Sequence, residues 1–288
     1  MYNNIKRKGG FIMKYENKYS LTREENRRFA KANLTNLVFV SARLEGVNTT
    51  LVQTQTIING LGVDNVSLDD INVIVQLKRG WDYVIQQDNP LDLNMEKEIN
   101  KIVARDSSVF PGYLRNGSGL VTTYRGDYVP PEIDEEKENK NLTSILSNKN
   151  TTATDKALTL MYYNMKQQMF YDGNKRTAIL AANKIMIDNG CGLINVPLEK
   201  WSTWMTKIAD FYLSKSKDSM EKLKEWTYAN GINGMEPNLE ARKERATPVI
   251  TQAEQEENIK DFKKLRAEIL NGNFSHAVSL ESRNDLER

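Results

Sequence analysis

The sequence predicts a mainly α-helical fold that carries one small β-hairpin. Over most of the chain, apolar residues recur at the i, i+3, i+4 spacing of amphipathic helices. Between residues 106 and 131 the pattern changes to two short β-prone runs, 120–124 and 125–129, which Pro130-Pro131 closes. With 288 residues, the chain is long enough for a full hydrophobic core and one compact domain with appendages.

Composition excludes several classes of protein. The formal net charge of +2 gives no reason to expect a nucleic-acid partner. A single cysteine, Cys191, rules out an intrachain disulfide and a cysteine-based metal cluster. No run approaches the roughly 18 apolar residues of a membrane helix, and residues 1–13 lack the apolar core of a signal peptide. We therefore expect a cytoplasmic protein without a membrane partner.

Helical patterns continue through residues 21–105, which we predict to be an N-terminal helical region. The preceding residues 1–20 are polar and are predicted to be a flexible tail. A first helix begins at Thr22, where Glu25 completes a capping-box pattern, and it runs to Glu45. The other predicted helices of this region begin at Thr50, Ser67 and residue 92.

Two polar residues share the apolar face of that first helix. Ser41 and Glu45 fall in line with Leu37 and Val38. A carboxylate directed at a core needs a cation or a dense set of donors, because burying it alone is very unfavourable. The alternative is that Glu45 lies at the frayed end of the helix, before Gly46, and reaches water.

The segment 170–177, Phe-Tyr-Asp-Gly-Asn-Lys-Arg-Thr, lies between two strongly helical stretches. Helices predicted over residues 155–169 and 175–188 leave a tight turn with Gly173 at its tip. The free backbone N–H groups at the start of a helix lie at the positive end of the helix dipole. This turn is therefore suited to bind phosphate.

Side chains of the turn strengthen that prediction. Asn174, Lys175 and Arg176 supply hydrogen-bond donors and positive charge. Asp172 is suited to hold a magnesium ion through one carboxylate while phosphates complete the coordination shell. The alternative is an ordinary interhelical turn with a solvated basic flank.

The rest of the chain is also predicted to be largely helical. Residues 132–141, dense in Glu, Lys and Asn, are either a solvated linker or a polar helix face. Pro197 opens a helix with a strong apolar stripe, and another helix covers about 217–229. Residues 236–288 are predicted to be a linker followed by an amphipathic helix at about 252–271, which docks on the body or on a partner.

Three stretches resemble motifs of the Fic (Fic/Doc, or Fido) family, in the same order. Residues 170–177 resemble the signature loop HxFx(D/E)GN(G/K)R. Residues 41–46, Ser-x-x-x-Glu-Gly, resemble the inhibitory motif (S/T)xxxE(G/N). Residues 112–131, with Gly-x-x-Arg, the β-prone runs and Tyr-x-Pro-Pro, resemble the stretch through the flap hairpin. The agreement extends from roughly residue 20 to 215, most of the chain.

The resemblance implies a Fic-type helical bundle with a β-hairpin flap, its core at residues 106–235. Such a protein binds ATP with Mg²⁺ and transfers AMP to a Ser, Thr or Tyr hydroxyl of a target protein. Asp172 would bind the metal. The residues that would hold the phosphates are Gly173, Asn174, Lys175 and Arg176.

The resemblance also implies a regulatory element and a docking element. Glu45, with Ser41 and Gly46, would obstruct productive placement of the γ-phosphate. The flap would hold a segment of the target by strand pairing, which uses the backbone and tolerates varied sequences. The flap residues concerned are Leu120, Val121, Thr122, Thr123 and Tyr124.

The chain departs from the family pattern at the general base. Gln168 stands where the family has the histidine that takes the proton from the attacking hydroxyl. A glutamine amide does not accept that proton near neutral pH, and losing a general base lowers a rate roughly 10²–10⁴-fold. The only histidine of the chain, His276, is too far along the sequence to be assigned this role.

A second departure concerns the inhibitory contact. Many regulated members carry another arginine three positions after the first, where it receives the inhibitory glutamate and the γ-phosphate. This chain has Ile179 there, so Lys175 or Arg176 would have to bind Glu45.

Three functions follow from these observations. The first is a Fic-type adenylyltransferase whose activity is weakened or altered by Gln168. The second is a non-catalytic nucleotide-binding or interaction protein, a pseudoenzyme that keeps the fold as a scaffold. The third is a Doc-like phosphotransferase, favoured by Lys175 in place of glycine. The sequence does not identify the target protein and leaves homo-oligomerisation open.

Overall fold

The structure is a computed structural model, and it describes residues 14–240. The chain divides at Pro237 into two units, and the contacts reported below lie in the first. The start of the predicted tail, the predicted C-terminal helix at 252–271 and His276 lie outside the described residues.

Within residues 14–240 the chain forms ten α-helices and two short pairs of antiparallel strands, which confirms the predicted mainly α-helical fold with a small hairpin. The helices are α1 Arg23–Ala32, α2 Leu34–Arg43, α3 Leu51–Ile58, α4 Leu68–Gln86, α5 Leu93–Val103, α6 Glu135–Ser147, α7 Ala153–Gln167, α8 Asn174–Asp188, α9 Trp201–Leu213 and α10 Ser219–Asn230. The strands are β1 Val121–Thr123 with β2 Gly126–Tyr128, and β3 Leu193–Ile194 with β4 Ile232–Asn233. No helix in this part of the chain combines the length and the apolar character needed to cross a membrane.

The core is built around α8. Residues 176–187 of this helix are all buried, and α1, α4, α5 and α7 pack around it. A helix that is buried on every side needs partners for its polar side chains. Asn183 meets this need by donating to the Ile194 carbonyl and accepting from the Ile194 N–H, at 3.0 and 2.8 Å, which ties β3 to the helix.

Side-chain caps explain where most helices begin. Thr22 and Thr50 form full capping boxes, and Ser67 accepts a hydrogen bond from the Asp70 N–H at 3.1 Å. These helix starts were predicted from the sequence. In contrast, α8 begins at Gly173 without any side-chain cap, so its first N–H groups are left for another acceptor.

The prediction of one continuous helix from Thr22 to Glu45 was wrong. Asn33 leaves helical geometry at φ −101° and ψ 8°, and its side-chain amide donates to the Phe29 carbonyl at 2.8 Å. Asparagine competes in this way with the helical hydrogen bonds of the backbone. The chain therefore forms α1 and α2, and Glu45 lies in the turn after α2.

Residues 14–20, predicted as the end of a flexible tail, instead pack against the body. Tyr15 is buried, and its hydroxyl lies 3.2 Å from the carboxylate of Glu221 on α10. The Thr152 hydroxyl, at the start of α7, donates to the Tyr15 carbonyl. Two aromatic side chains, Tyr15 and the partly buried Tyr19, attach a segment whose other residues are polar.

The β1–β2 hairpin, which we call the flap, is docked on α9. The ring of Tyr128 stacks on that of Tyr212 with centroids 5.4 Å apart, and Arg125 pairs with Asp210 at 3.3 Å. The Tyr128 hydroxyl also donates to the carbonyl of Lys166 in α7, at 3.0 Å. The flap is thereby held beside the C-terminal end of α7, where the candidate site begins.

Candidate functional site

The loop between α7 and α8 is closed by one side chain. The Phe170 N–H donates to Asn174 Oδ1 at 2.8 Å, and Asn174 Nδ2 donates to the Phe170 carbonyl at 2.9 Å. Phe170 itself is buried and anchors the loop in the core. Asn174 was predicted to hold phosphate, but both ends of its amide are occupied in shaping the loop.

Gly173 is required by conformation and by space. Its φ is +73°, a left-handed value that side chains with a Cβ rarely adopt. A Cβ at this position would lie 2.7 Å from the Cβ of Ala104, just after α5. The glycine thus lets the start of α8 approach α5 closely.

Asn100 on α5 connects the loop to its surroundings, and sequence reasoning missed it. Its amide nitrogen donates to the Asp172 carbonyl at 2.8 Å and to the Thr177 hydroxyl at 3.1 Å. Its amide oxygen accepts from the Gly112 N–H at 2.9 Å. The available signal was a pair of polar residues, Glu96 and Asn100, four apart on the apolar face of α5.

Arg115 fastens the segment before the flap to the end of α7. Its guanidinium donates to the carbonyls of Gln168 at 2.6 Å, Gly117 at 2.6 Å, Gln167 at 3.3 Å and Pro131. The last carbonyls of a helix lack intrahelical partners and favour a cation. Burial lowers the pKa of Arg115, yet an arginine stays charged near neutral pH.

Arg176 is buried, with 1% of its surface exposed, and its guanidinium joins two carboxylates. Its Nε lies 3.2 Å from Glu45 Oε1, close enough for an ion pair but not aligned as a hydrogen bond. One terminal nitrogen donates to Asp172 Oδ2 and to the Ser107 hydroxyl, each at 3.1 Å. The other donates to the Val103 carbonyl.

These contacts change the role predicted for Arg176. We expected it to contact phosphates, but in this state its donors are directed at protein groups. Of the two cations considered for Glu45, the structure pairs it with Arg176. The alternative prediction was that Glu45 reaches water, but only 20% of its side chain is exposed.

Three further positions belong to the predicted inhibitory contact, namely Ser41, Gly46 and Ile179. The Ser41 hydroxyl donates to the Leu37 carbonyl at 2.7 Å, within its own helix. Gly46 has a φ of +79°, with open space where a Cβ would lie. Ile179 is buried beside Trp81 and Trp204 around a small apolar cavity of about 10 Å³. No cation replaces the family's second arginine among the residues around this cavity.

Gln168 has an unusual backbone and an oriented side chain. Its φ and ψ are 51° and 54°, a left-handed conformation that ends α7. Its Nε2 donates to the Met165 carbonyl at 2.7 Å and to the Tyr212 hydroxyl at 3.1 Å. Burial raises the pKa of Tyr212, so this phenol is a poor proton acceptor.

The loop fits a phosphate group with a divalent cation in part. The uncapped N-terminus of α8 offers backbone donors, and Lys175 follows on its first turn. The carboxylate of Asp172 is 42% exposed, so it can take a cation that phosphate oxygens also bind, although Arg176 donates to its Oδ2. In residues 14–240 no three acidic, histidine or cysteine side chains form a metal cluster, so the protein would contribute few ligands of its own. Arg176 fits a phosphate only if its pairing with Glu45 is broken.

The flap presents backbone and apolar side chains to solvent. Its two strands pair only with each other in the described structure, so β1 has a free outer edge. Leu120 and Tyr124 are 62% and 70% exposed, and residues 121–123 lie between them. An extended peptide can add to such an edge through its main chain.

Comparison with known proteins agrees with this architecture. Residues 90–186, which span α5, the flap, the loop and most of α8, match the model of the Fic/DOC family. The fold resembles that of a Fic domain-containing signalling protein from Bacteroides thetaiotaomicron, with a TM-score of 0.62 and 18% identity over 73% of this chain and 87% of that one. Residues 90–186 therefore resemble the Fic/DOC family, and the fold is a Fic-type helical fold.

Two other solved structures share the fold. Fic-1 of C. elegans, residues 134–508, gives a TM-score of 0.55 at 17% identity, over 72% of this chain and 70% of that one. A Fic family protein from Desulfovibrio desulfuricans gives 0.57 at 16% identity, over 70% and 64%. At such identities the likeness concerns the fold alone. Comparison with curated proteins finds no sequence match.

Proposed function

We propose that this chain binds ATP with Mg²⁺ at the 168–176 loop and transfers AMP slowly to a hydroxyl of a target protein. The observation that carries the proposal is the start of α8. It is the uncapped N-terminus of a buried helix, with the half-exposed Asp172 carboxylate and Lys175 beside it. Backbone donors, one carboxylate and one cation are the groups that a magnesium-bound phosphate chain requires.

Each residue then has a limited task. Asp172 would hold the metal, which when bound offsets the charge that develops on the phosphates. Gly173 and the N–H groups of α8 would hold phosphate oxygens, and Lys175 would add charge. Asn174 acts indirectly, because its amide holds the loop in shape.

Glu45 would restrain the site. Its carboxylate and a phosphate chain compete for the same guanidinium, that of Arg176. Removing the carboxylate should therefore strengthen binding of the nucleotide. We infer that the resting chain is inhibited through Arg176 rather than through a second arginine.

Binding of ATP is the first measurement. Isothermal titration calorimetry with ATP and Mg²⁺ should show about tenfold tighter binding to Glu45→Gln than to the native chain, since one phosphate–guanidinium contact is gained. Asp172→Asn should weaken binding at least tenfold. Asp64→Asn, an equal change at an exposed aspartate before α4, should leave the affinity unchanged.

Transfer is tested with labelled nucleotide and cell lysate. Label from the α-phosphate on protein, lost in Asp172→Asn, supports AMP transfer, whereas label from the γ-phosphate alone would indicate the Doc-like phosphotransferase. If ATP does not bind to the native chain or to Glu45→Gln, the proposal is wrong.

A non-catalytic nucleotide-binding protein is the second candidate. Gln168 favours it, because the amide at the position of the base cannot take a proton. Under this hypothesis ATP binds, but neither label is transferred by the native chain or by Glu45→Gln, and Gln168→His creates transfer.

A further inference from the structure

The side chain of Gln168 has one defined orientation. Both hydrogens of Nε2 are used, toward the Met165 carbonyl at 2.7 Å and the Tyr212 hydroxyl at 3.1 Å. A carbonyl cannot donate, so the contact with Met165 requires the nitrogen at that end of the amide. Within residues 14–240 no hydrogen bond is made by the oxygen Oε1, so this end of the amide is left to accept one.

The backbone of residue 168 is fixed as well. Its left-handed φ of 51° is held by the hydrogen bond from Arg115 Nε to the Gln168 carbonyl, at 2.6 Å. A side chain with a held backbone and two anchored donors presents its remaining acceptor in a constant direction. The loop thus offers an oriented amide oxygen at the end of α7.

An amide oxygen accepts a hydrogen bond from a hydroxyl but does not take its proton near neutral pH. The ionisable groups that contact the loop do not replace a base. Tyr212 stays protonated because burial raises its pKa, and the nearby Glu45 charge adds to this. Arg115 is a cation, and the carboxylates of Asp172 and Glu45 both lie against the Arg176 guanidinium.

Two more titratable groups lie around the flap and α9. Burial raises the pKa of Tyr128, which also keeps this phenol protonated. Burial lowers the pKa of Lys166, whose ammonium donates to the carbonyls of Phe211 and Ser214, at 2.9 and 3.0 Å. Among the described residues none of these groups is suited to take the proton, so an attacking hydroxyl would lose it to water.

We propose that the acceptor on the target is a tyrosine, an inference that rests on the function proposed above. A phenol has a pKa of about 10, so roughly one molecule in a thousand is ionised at pH 7. An aliphatic hydroxyl ionises several units higher, nearer to water at about 15.7. A site that orients a hydroxyl but has no base to deprotonate it should favour tyrosine over serine and threonine, because the phenol ionises more readily in water.

A cluster of exposed aromatic side chains beside the loop suits a phenol ring. Phe110 and Tyr171 meet edge to face with centroids 5.4 Å apart, and the Tyr171 hydroxyl donates to Asn116 at 2.6 Å. Phe110 is 53% exposed and the neighbouring Tyr113 is 70% exposed. Aromatic rings favour such partners. These side chains contact the loop itself, because Tyr171 lies between Phe170 and Asp172.

The transfer of AMP to tyrosine can proceed without a protein base. The tyrosine hydroxyl first hydrogen-bonds to Gln168 Oε1 and loses its proton to water. The phenolate oxygen then bonds to the α-phosphorus while the bond from that phosphorus to the bridging oxygen breaks. Pyrophosphate leaves with the electron pair of that bond, and AMP remains on the phenol oxygen.

The experiment uses the full chain with Glu45→Gln, which also removes Glu45 as a proton acceptor. Lysate is incubated with Mg²⁺ and ATP, and mass spectrometry counts AMP on Tyr, Ser and Thr. We expect at least tenfold more modified tyrosine than serine and threonine together. The rate should rise about tenfold per pH unit from pH 6 to 9, because the phenolate fraction does. Adding Gln168→His should bring in Ser and Thr sites and flatten the profile above the pKa of the imidazole.

The outcomes separate the two proposals. Modification of Ser or Thr as readily as Tyr, or a flat pH profile with Gln168 in place, overturns the tyrosine inference while ATP binding and AMP transfer stand. Transfer only after Gln168→His overturns it as well, and favours the non-catalytic candidate. Absence of ATP binding in calorimetry overturns the proposed function itself.

The amide orientation has its own readout, independent of transfer. In ¹⁵N–¹H NMR spectra, the Gln168 side-chain NH₂ signals, identified by their loss in Gln168→His, should exchange slowly with water. In Tyr212→Phe they should exchange faster, because one anchor is removed. Equal exchange in the two proteins would contradict a fixed amide.

Discussion

At the scale of single residues, the loop depends on a few side chains that contact protein rather than ligand. Asn174 closes the loop on Phe170, and Asn100 fixes the Asp172 carbonyl. Gly173 lets α8 begin within contact of Ala104. The groups that remain available to a ligand are backbone N–H groups and the side chains of Asp172 and Lys175. The contacts described above determine where these groups lie.

Gly173→Ala should destabilise the protein by about 2–4 kcal/mol. The substitution combines a strained left-handed backbone with a 2.7 Å approach to Ala104 Cβ. Gly60→Ala is the matched control, since Gly60 has a φ of +78° but open space around a Cβ. It should lose only about 1 kcal/mol. Urea unfolding measures both, and equal losses would show that packing against Ala104 is unimportant.

Sequence reasoning singled out most residues of the loop but not the contacts that two of them make within the protein. Residue type and spacing predict that Asn174 and Arg176 bind phosphate. They do not show whether other groups already occupy those donors. Asn174 is occupied by a local contact and Arg176 by groups from the turn after α2 and from α5, which become neighbours only in the folded chain.

At the scale of elements, the flap is attached to the body at its base through Arg115. This guanidinium bridges the end of α7 and the segments on both sides of the hairpin, through Gly117 and Pro131. A lysine has the same charge but lacks the planar fork that reaches several carbonyls at once. Arg115 thus holds the base of the flap near Gln168, in addition to the contacts that Tyr128 and Arg125 make with the body.

Arg115→Lys should lower the free energy of unfolding by about 1–3 kcal/mol, because several carbonyls in part-buried hydrogen bonds lose a charged donor. Hydrogen exchange at residues 121–128 should become faster, since the flap is less firmly held. Arg125→Lys on the exposed flap turn is the control and should change neither stability nor exchange noticeably. Unchanged flap exchange in Arg115→Lys would contradict the attachment.

At the scale of the whole molecule, a buried carboxyl group makes stability depend on pH. Glu96 on α5 is 1% exposed, and Asn164 Nδ2 donates to its Oε1 at 2.7 Å. Burial raises the pKa of Glu96 to about 7, aided by the charges of Glu138 and Asp92 and opposed by the bond from Asn164. Between pH 4.5 and 7 the Glu96 carboxyl group is therefore protonated in the native state, whereas in the unfolded chain, where its pKa is near 4.5, it is ionised.

Because the native state binds more protons between pH 4.5 and 7, the free energy of unfolding should fall as the pH rises through this window. The full loss is about 3 kcal/mol. Glu96→Gln should abolish it and be more stable than the native chain at pH 8. A glutamine amide can also donate to the buried Asn164 Oδ1, which has no partner.

Glu98→Gln, the same change at an exposed position of α5, is the control. It should leave the decline of stability with pH as in the native chain. Urea unfolding at pH 5, 6, 7 and 8 measures these slopes. A native slope that persists in Glu96→Gln would show that another group is responsible.

The fold as a whole was more predictable than the site. Apolar periodicity and capping residues such as Thr22 and Ser67 are local signals, so helix positions could be predicted. The break at Asn33 rests on a local contact with Phe29 and was missed because the apolar periodicity continues through it, whereas the burial of Tyr15 depends on a contact with the distant Thr152. The same applies to Glu96 and Asn100, whose importance depends on α7 and on the loop.

The N-terminal helices contact both ends of α8. At its C-terminal end, the Leu21 N–H donates to the Gly190 carbonyl at 2.9 Å, and Arg23 pairs with Asp188 at 3.0 Å. At its N-terminal end, Glu45 pairs with Arg176. Residues 21–45 are thus attached at both ends of α8, a helix of 15 residues that is roughly 22 Å long.

Because the segment is attached at both ends of α8, the number of residues between Leu21 and Glu45 decides where Glu45 lies. One residue added to α2 would advance Glu45 by about 1.5 Å and turn it by about 100°, away from Arg176. If Glu45 restrains the site as proposed, that restraint depends on the length of this segment, and insertions or deletions in it would release the site even when every residue of the motif is retained.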